Sequence, residues 1–303
     1  MSSPTSTTLP VKSHPDALHL TASVHAYLDS TYPFSSQQTK NAFESQDLPR
    51  FTALLYPESQ IERLESAALF TSLTAILDDA FSQMSIADAR KIGARLLAIM
   101  QGATTADDAV PVERILGKVI GDMNVQSPEL AGDVLNGAVT LFLAQTDKRR
   151  LEVTGLDEYF EFRYGDVGGD FFTALSRFAN DIVLSEDEKV KFKGLEKLMI
   201  RHVIIANDIL SWEKELKEAD ESNEEGGALC SVVPILARNL GIGFEGAKRV
   251  LWVAARELEG EMERVAGGLG PLSEEGERYV QALKYLASGN EEWCRTTSRY
   301  RVE

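Results

Sequence analysis

Several features that define other classes of protein are scarce or missing in this chain of 303 residues. It has two cysteines, Cys230 and Cys294, which is no disulfide framework, although the sequence leaves open whether the two pair. No segment approaches about 18 uninterrupted apolar residues, so we expect no membrane span. Alternating strand patterns bounded by tight turns are also missing, which argues against a β-sheet.

Basic residues are the minority among the charged ones. The chain has 31 Lys and Arg against 47 Asp and Glu, a formal net charge of −16. Nucleic acids and anionic membranes need a basic surface, so neither is an expected partner. An anionic ligand would have to be held by a local cluster of Arg and Lys, or by metal ions. The few cysteines and the lack of an apolar signal segment favour a cytoplasmic location.

What the chain has is helical periodicity. Apolar residues recur at steps of three and four over residues 58–83, 85–101 and 129–145, and Ser185 with Glu188 forms a capping-box pattern. That box predicts a long helix to about residue 217. We predict an all-α bundle of about ten helices, one domain over residues 16–303, preceded by a disordered tail at 1–15 that is rich in Ser, Thr and Pro.

Two segments interrupt the helical pattern. Residues 163–169 contain three glycines, which should bend or break a helix. Residues 219–227 are acidic, polar and end in two glycines, a pattern typical of a mobile surface loop. Both interruptions adjoin residues that could carry chemistry.

The sharpest chemical signal is the segment from Asn207 to Glu215. Residues four apart on a helix drift only about 40°, so Asn207, Ser211 and Glu215 form one stripe of oxygen ligands suited to a hard cation. Lys214 falls within the same stripe, near any diphosphate that such a cation would hold. A polar seam inside a helical bundle is the alternative interpretation, and it suits any one of these residues better than the whole set.

A second signal is the acidic pair Asp78 and Asp79 at the end of a strongly apolar helix. Adjacent helical residues point about 100° apart, and we expect only Asp78 to face inward. A solvated helix end is the alternative, although the helix dipole disfavours acids there. Together with the first stripe, the pair could clamp a diphosphate through magnesium ions.

Three further residues suit diphosphate binding. Arg163 precedes the glycines, and Arg299 and Tyr300 stand near the C-terminus. Arginine makes bidentate contacts to phosphate, and tyrosine can donate one more hydrogen bond. Each arginine taken alone is more often a surface charge.

In these segments the chain resembles the fungal class I sesquiterpene synthases and looks closest to the aristolochene synthase group. The family's second metal motif is matched at Asn207, Asp208, Ser211 and Glu215, and its arginine diphosphate sensor at Arg163. The terminal Arg-Tyr pair matches as well, and the likeness covers roughly residues 50 to 300. Four separated segments agree in order and spacing, which makes the resemblance specific.

The resemblance implies a prenyl diphosphate substrate, such as farnesyl diphosphate, three magnesium ions and cyclisation of the cation left after ionisation. One metal pair would bind Asp78, and the third ion would bind the Asn207, Ser211 and Glu215 stripe. The resemblance also implies further roles: diphosphate binding for Arg163, Lys214, Arg299 and Tyr300, linker and effector roles for Asp166 and Val167, and cation-stabilising aromatics at Trp293 and Phe142. A homodimer is the assembly expected from the family.

Two departures from the family pattern are visible. Its first motif usually carries another acid where this chain has Ser82, and the helix face leading to Asp78 presents Thr71, Thr74 and Ala75 where relatives often have an aromatic. The cavity is therefore expected to be wider or more polar on that side. Two alternatives stay open: a chain-elongating prenyltransferase, which would need a second aspartate-rich motif, and a non-catalytic helical protein derived from this fold.

Overall fold

The computed structural model describes residues 6–147, 149, 152–221 and 229–301. All regular secondary structure in these residues is helical, which confirms the all-α prediction. The helices of the N-terminal half are α1 (Ala17–Thr31), α2 (Gln37–Ser45), α3 (Leu48–Leu55), α4 (Ile61–Phe81), α5 (Ile86–Met100), α6 (Pro111–Gln126) and α7 (Pro128–Gln145). Those that follow are α8 (Leu156–Asp166), α9 (Gly169–Ala179), α10 (Glu186–Leu210), α11 (Trp212–Glu221), α12 (Val232–Leu240), α13 (Phe244–Gly268) and α14 (Glu274–Thr296).

The described residues therefore contain fourteen α-helices, and the prediction of about ten is wrong. Several helices are short, such as α2 and α3, and one stretch predicted as continuous is divided. Helix starts were predicted more accurately, because they are set by local side-chain hydrogen bonds. The side chain of Ser185 accepts from the backbone N–H of Glu188, and Glu188 in return accepts from the N–H of Ser185, so the capping box is confirmed.

The predicted long helix from Ser185 to about residue 217 is wrong, because it is divided at Ser211. Helix α10 ends at Leu210 and α11 begins at Trp212. The hydroxyl of Ser211 donates to the carbonyl of Asn207 at 2.8 Å, the kind of local bond that competes with regular helix geometry. The backbone bonds Ser211 N–Asn207 O and Glu215 N–Ser211 O persist at 2.8 and 2.9 Å, so the direction of the chain is largely kept.

The predicted break at the glycines is confirmed. Helix α8 ends at Asp166, and Gly168 adopts φ +81°, a left-handed conformation that glycine enters without steric cost, before α9 begins. The other predicted irregular segment, 219–227, starts inside α11, which continues to Glu221; the rest of that segment lies outside the described residues.

The disordered tail predicted for residues 1–15 is wrong from Thr8 to His14. Glu259 on α13 accepts hydrogen bonds from Thr8, Leu9 is buried, and the backbone N–H of His14 donates to the carbonyl of Ala53 on α3 at 2.9 Å. Burial of Leu9 and these bonds offset the entropy of ordering the segment. Residues 1–5 lie outside the described part of the chain.

One connected hydrophobic core extends from Leu9 to Cys294. Helix α10 lies near its centre and packs against α8, α13 and α14, while α3 packs against α4 and α14. Both cysteines are buried, and no disulfide joins them. Searched over the described residues, no helix is both long enough and apolar enough to cross a bilayer.

Candidate active site

A cavity of about 260 Å³ lies between α3, α4, α7, α8, α9, α10, α11 and α14; we call it the reaction cavity. Acidic, basic and amide side chains line its mouth, and apolar side chains line its interior. Ten of the twelve residues assigned to the site from sequence line it: Asp78, Arg163, Asp166, Val167, Asn207, Lys214, Glu215, Trp293, Arg299 and Tyr300. The other two, Ser211 and Phe142, do not.

Asp78 and Asp79, at the C-terminal end of α4, form one side of the mouth. The guanidinium of Arg299 donates to Asp78 Oδ2 at 3.2 Å, and to Asp79 at 2.8 Å through Nη2 and 3.3 Å through Nη1. Both carboxylates line the cavity, so the prediction that only Asp78 faces inward is wrong. At the last turn of a helix that ends in an open mouth, two adjacent side chains can border the same space.

Ser82, which replaces the family's usual acid, also lines the mouth. Its hydroxyl donates to the backbone carbonyl of Asp79 at 2.9 Å. Gln145 on α7 donates to Asp78 Oδ1 at 3.3 Å, and sequence reasoning assigned it no role. An acid at position 82 would therefore stand beside the Asp78 and Asp79 carboxylates.

Asn207, near the end of α10, joins two of the predicted diphosphate-binding residues. Arg163 Nη2 donates to Asn207 Oδ1 at 3.1 Å, and Asn207 Nδ2 donates to the phenol oxygen of Tyr300 at 2.8 Å. Arg163 also forms an ion pair with Asp166, three residues ahead on α8. Arg163, the predicted diphosphate sensor, thus contacts its predicted linker and the second metal motif at once.

Asp208 of the second motif does not line the cavity. It is fully buried, accepts from the phenol of Tyr159 and from the backbone N–H of Val232 at 2.8 Å, and pairs with Arg163 at 3.3 Å. It holds α8, α10 and the start of α12 together, and so positions Arg163. The motif spacing gave no sign that this carboxylate turns away from the cavity.

The remaining motif residues lie around the junction of α10 and α11. Ser211 is buried with its hydroxyl on the Asn207 carbonyl, so it stands behind the surface that Asn207 and Glu215 present. Burial raises the pKa of Glu215, against the opposing effect of the Arg163 cation. Lys214 lines the mouth but forms an ion pair with Glu218 at 2.7 Å.

Aromatic rings form one wall of the interior. Trp293 packs on Phe51 with ring centroids 4.6 Å apart, and Phe51 meets Phe172 at 5.9 Å. Sequence reasoning missed both phenylalanines, because each lies on a helix with no chemical motif. The prediction of Phe142 as a cavity aromatic is wrong: the adjacent Leu141 lines the cavity, and Phe142 packs behind Phe81 at 6.5 Å.

The opposite wall agrees with the second departure seen in the sequence. Thr71, Thr74 and Ala75 on α4 all line the cavity. These small and hydroxylated side chains present no aromatic face, and Phe81 at the end of α4 is the aromatic of that helix that lines the cavity. The cluster of three rings, by contrast, is built by α3, α9 and α14.

The residues at the mouth fit hard divalent cations such as magnesium. Asp78, Asp79, Asn207 and Glu215 all offer oxygen atoms, which these ions prefer. Arg163 Nε is buried with no hydrogen-bond partner among the described residues, as expected of a donor that awaits an anion. A carboxylate buried like Glu215 also gains from a nearby cation, because burial disfavours its charged form.

A second group of ligand-type side chains lies deeper, at His202, Glu259 and Glu291. His202 Nε2 is 3.1 Å from Glu259 and 3.4 Å from Glu291, while Arg256 and Arg295 pair with the same carboxylates. Arg256 and Arg295 already neutralise the carboxylates of this group, so we assign the group a structural role in holding α10, α13 and α14 together.

Comparison with known proteins agrees with this geometry. The family described as "Terpene synthase family 2, C-terminal metal binding" matches residues 69–259. The chain belongs to the terpene synthase family. It is therefore an enzyme, a terpene cyclase, with the all-α class I fold.

Curated relatives and solved structures cover nearly the whole chain. Aristolochene synthase from Aspergillus terreus is 32% identical over 295 residues, covering 95% of this chain and 91% of the relative. Aristolochene synthase from Penicillium roqueforti is 33% identical over 292 residues, covering 95% and 85%. The crystal structure of the Penicillium roqueforti enzyme matches this terpene synthase with a TM-score of 0.85 at 31% identity, covering 96% of this chain and 98% of that one.

Proposed function

We propose that this terpene synthase ionises farnesyl diphosphate with magnesium and cyclises the resulting cation to a sesquiterpene, releasing diphosphate. The observation that carries the proposal is the meeting of oxygen ligands and cationic side chains at the mouth of a cavity whose interior is aromatic and apolar. The aristolochene synthases that resemble the chain support the same substrate class.

Magnesium would bind in two places at the mouth. Asp78 would hold one pair of ions, and Asn207, Ser211 and Glu215 would hold a third, which requires the Ser211 hydroxyl to leave the Asn207 carbonyl. Bound magnesium supplies positive charge that stabilises the diphosphate as it departs. The count of three ions and the ligand set rest on the family resemblance together with the oxygen donors found here.

The protein's own cations would bind the diphosphate by exchanging partners. Arg299 now pairs with Asp78 and Asp79, and Lys214 with Glu218. When a diphosphate is bound with its metals, its oxygens would pair with Arg299 and Lys214, and the carboxylates released by these side chains would become available to bind the metals. Positive and negative charges would then balance both with and without the diphosphate. Arg163 and Tyr300, which meet at Asn207, would complete the diphosphate site.

Ionisation is favoured because the leaving group gains contacts as its charge grows. The Arg163–Asp166 pair lies directly before Val167 and the left-handed Gly168, so a shift of Arg163 toward the diphosphate would move the Val167 carbonyl. Val167 lines the cavity, where this carbonyl would face the developing cation. We propose these linker and effector roles on that connection.

The cation then lies in a cavity that offers it aromatic faces. The rings of Trp293, Phe51 and Phe172 can each stabilise a cation by about 0.5–2 kcal/mol. The apolar side chains around them exclude water, which would otherwise capture the cation before the ring closures finish. The cluster of these three rings favours positive charge near α3, α9 and α14.

The test is an assay of purified protein with geranyl, farnesyl and geranylgeranyl diphosphate, with and without magnesium. We expect release of diphosphate and cyclic C15 products from farnesyl diphosphate only when magnesium is present. Elongated prenyl diphosphates formed from farnesyl and isopentenyl diphosphate would indicate the prenyltransferase alternative. No turnover of any of the three substrates with magnesium would overturn the proposed substrate and reaction.

Two further expectations belong with this function. We propose that the enzyme acts in the cytoplasm, which agrees with two buried cysteines that form no disulfide. A homodimer is proposed from the family resemblance alone. Sedimentation of the purified chain at several concentrations would test the dimer.

A further inference from the structure

A second, smaller cavity lies next to the reaction cavity. It has a volume of about 140 Å³, and we call it the rear pocket. Among the described residues, Leu55 is the one side chain that borders both spaces. We propose that Leu55 separates the carbocation from water in the rear pocket, and so decides that the enzyme releases a hydrocarbon and not an alcohol. The inference rests on the proposed function and names the product class of the same site.

The rear pocket is polar and reaches the surface. Half of its lining residues carry polar side chains, Glu58, Asn180, Arg278 and Tyr285. Glu58 and Arg278 are exposed, and the phenol of Tyr285 donates to Glu58 at 3.4 Å. A space of this volume and polarity has room and partners for several water molecules.

The order of residues along α14 places the rear pocket beyond the hydrocarbon end of the reaction cavity. Arg278, Ala282 and Tyr285 border the rear pocket, and then Leu286 and Trp293 border the reaction cavity. Arg299 and Tyr300, at the diphosphate end, follow the helix. A substrate with its diphosphate at the mouth therefore points its chain toward Leu55.

Leu55 is held firmly in this position. It is the last residue of α3 and only 1% exposed. Gly289 lets α14 approach it closely, since a Cβ at position 289 would lie 2.4 Å from the Leu54 carbonyl oxygen. From the outer side, His14 of the N-terminal segment donates to the carbonyl of Ala53. Neither α3 nor the Leu55 backbone can shift without breaking these contacts.

The chemical consequence follows from two competing ways of ending the reaction. When water is excluded, the C15H25 cation loses a proton from carbon and becomes a C15H24 hydrocarbon. When water enters, its oxygen lone pair forms a C–O bond to the cationic carbon and the oxonium loses a proton, which gives C15H26O. Both routes release one proton, which diphosphate or solvent accepts, and neither needs an oxidant.

Replacing Leu55 by Ala should connect the reaction cavity with the rear pocket. The substitution vacates space for at least one water molecule between the two cavities, and we expect the alcohol fraction of the products to rise by about tenfold. In water labelled with oxygen-18 the alcohol should carry the label. Leu55→Met keeps the volume and apolar character, and it should keep the hydrocarbon profile.

A second substitution tests the rear pocket itself. Ala282 borders the rear pocket but not the reaction cavity, so Ala282→Leu fills the water-bearing space without touching the substrate. The double variant Leu55→Ala with Ala282→Leu should return most of the product to hydrocarbon. Ala282→Leu alone should leave the parent profile unchanged.

The outcomes separate this inference from the proposed function. If Leu55→Ala releases diphosphate and still gives hydrocarbons only, the inference is overturned while the function stands. Labelled alcohol as the main product of the parent would also overturn it, since water would already reach the cation past Leu55. If Leu55→Ala does not fold, the oxygen-18 content of the alcohol formed by Leu55→Val provides the same test. A parent that releases no diphosphate overturns both.

Discussion

The two acids at the end of α4 give the clearest test of which carboxylate binds metal. Arg299 contacts both, so replacing either Asp78 or Asp79 by Asn leaves the buried guanidinium with one carboxylate. Burial alone would lower the pKa of Arg299, and the two acids more than offset that effect. Each single variant should therefore fold, and its loss of turnover should report on catalysis.

The expected magnitudes differ between the two positions. Asp78→Asn removes a charge that we propose holds metals against the leaving diphosphate. Losing one such stabilising group costs about 10²–10³ in kcat, or about 2.7–4 kcal/mol. Asp79 makes two contacts to Arg299, at 2.8 and 3.3 Å, and in the proposed mechanism it would act on the diphosphate through that arginine. For Asp79→Asn we expect about a tenfold loss, which corresponds to about 1.4 kcal/mol.

The assay measures diphosphate release from farnesyl diphosphate over a range of magnesium concentrations, with helical content checked by circular dichroism. Asp88→Asn is the matched control, because Asp88 lies on α5 outside the cavity and pairs with Lys91 at the surface. Raised magnesium should rescue Asp78→Asn in part and Asp79→Asn very little. Equal losses at the two positions, or a greater loss at Asp79, would refute the assignment of Asp78 as the metal ligand.

Three further results are expected. Asn207→Ala and Glu215→Ala should each lower turnover by about 10²-fold or more with helical content retained, and near-normal turnover at low magnesium would contradict the third metal site. Ser82→Glu should lower the magnesium concentration that gives half the maximal rate, since an added carboxylate tightens such a site, and an unchanged midpoint would show that position 82 does not reach a metal. Burial alone would raise the pKa of Glu259 and Glu291, but hydrogen bonds from their neighbours lower both pKa values to about 2. The stability that these two carboxylates contribute above their ordinary pKa of 4.5 should therefore be lost as the pH falls toward 2. Urea unfolding at several pH values should show a weaker dependence on acid for Glu259→Gln than for the parent.

The amino-acid sequence by itself determined the features that depend on neighbours along the chain. Helical periodicity and capping residues such as Ser185 fix where many helices begin, and the glycines after Arg163 fix a break between two of them. Motif spacing also predicted that Asn207 and Glu215 line one cavity, because residues at multiples of four on a helix stay near one face, although Ser211 between them lies behind that surface. The one-position error at Phe142 shows the limit, since neighbouring residues differ by about 100° in direction.

Only the tertiary structure decided which residues from distant segments meet. Phe51 and Phe172 join Trp293 on one wall, and Arg299 reaches back more than 200 positions to Asp79. The residues next to each partner do not indicate such a pair, because the helical periodicity and capping around one partner are the same whether or not the other is present. The separation of the two cavities by Leu55 depends on the space between the helices, and the packing of all their side chains sets that space.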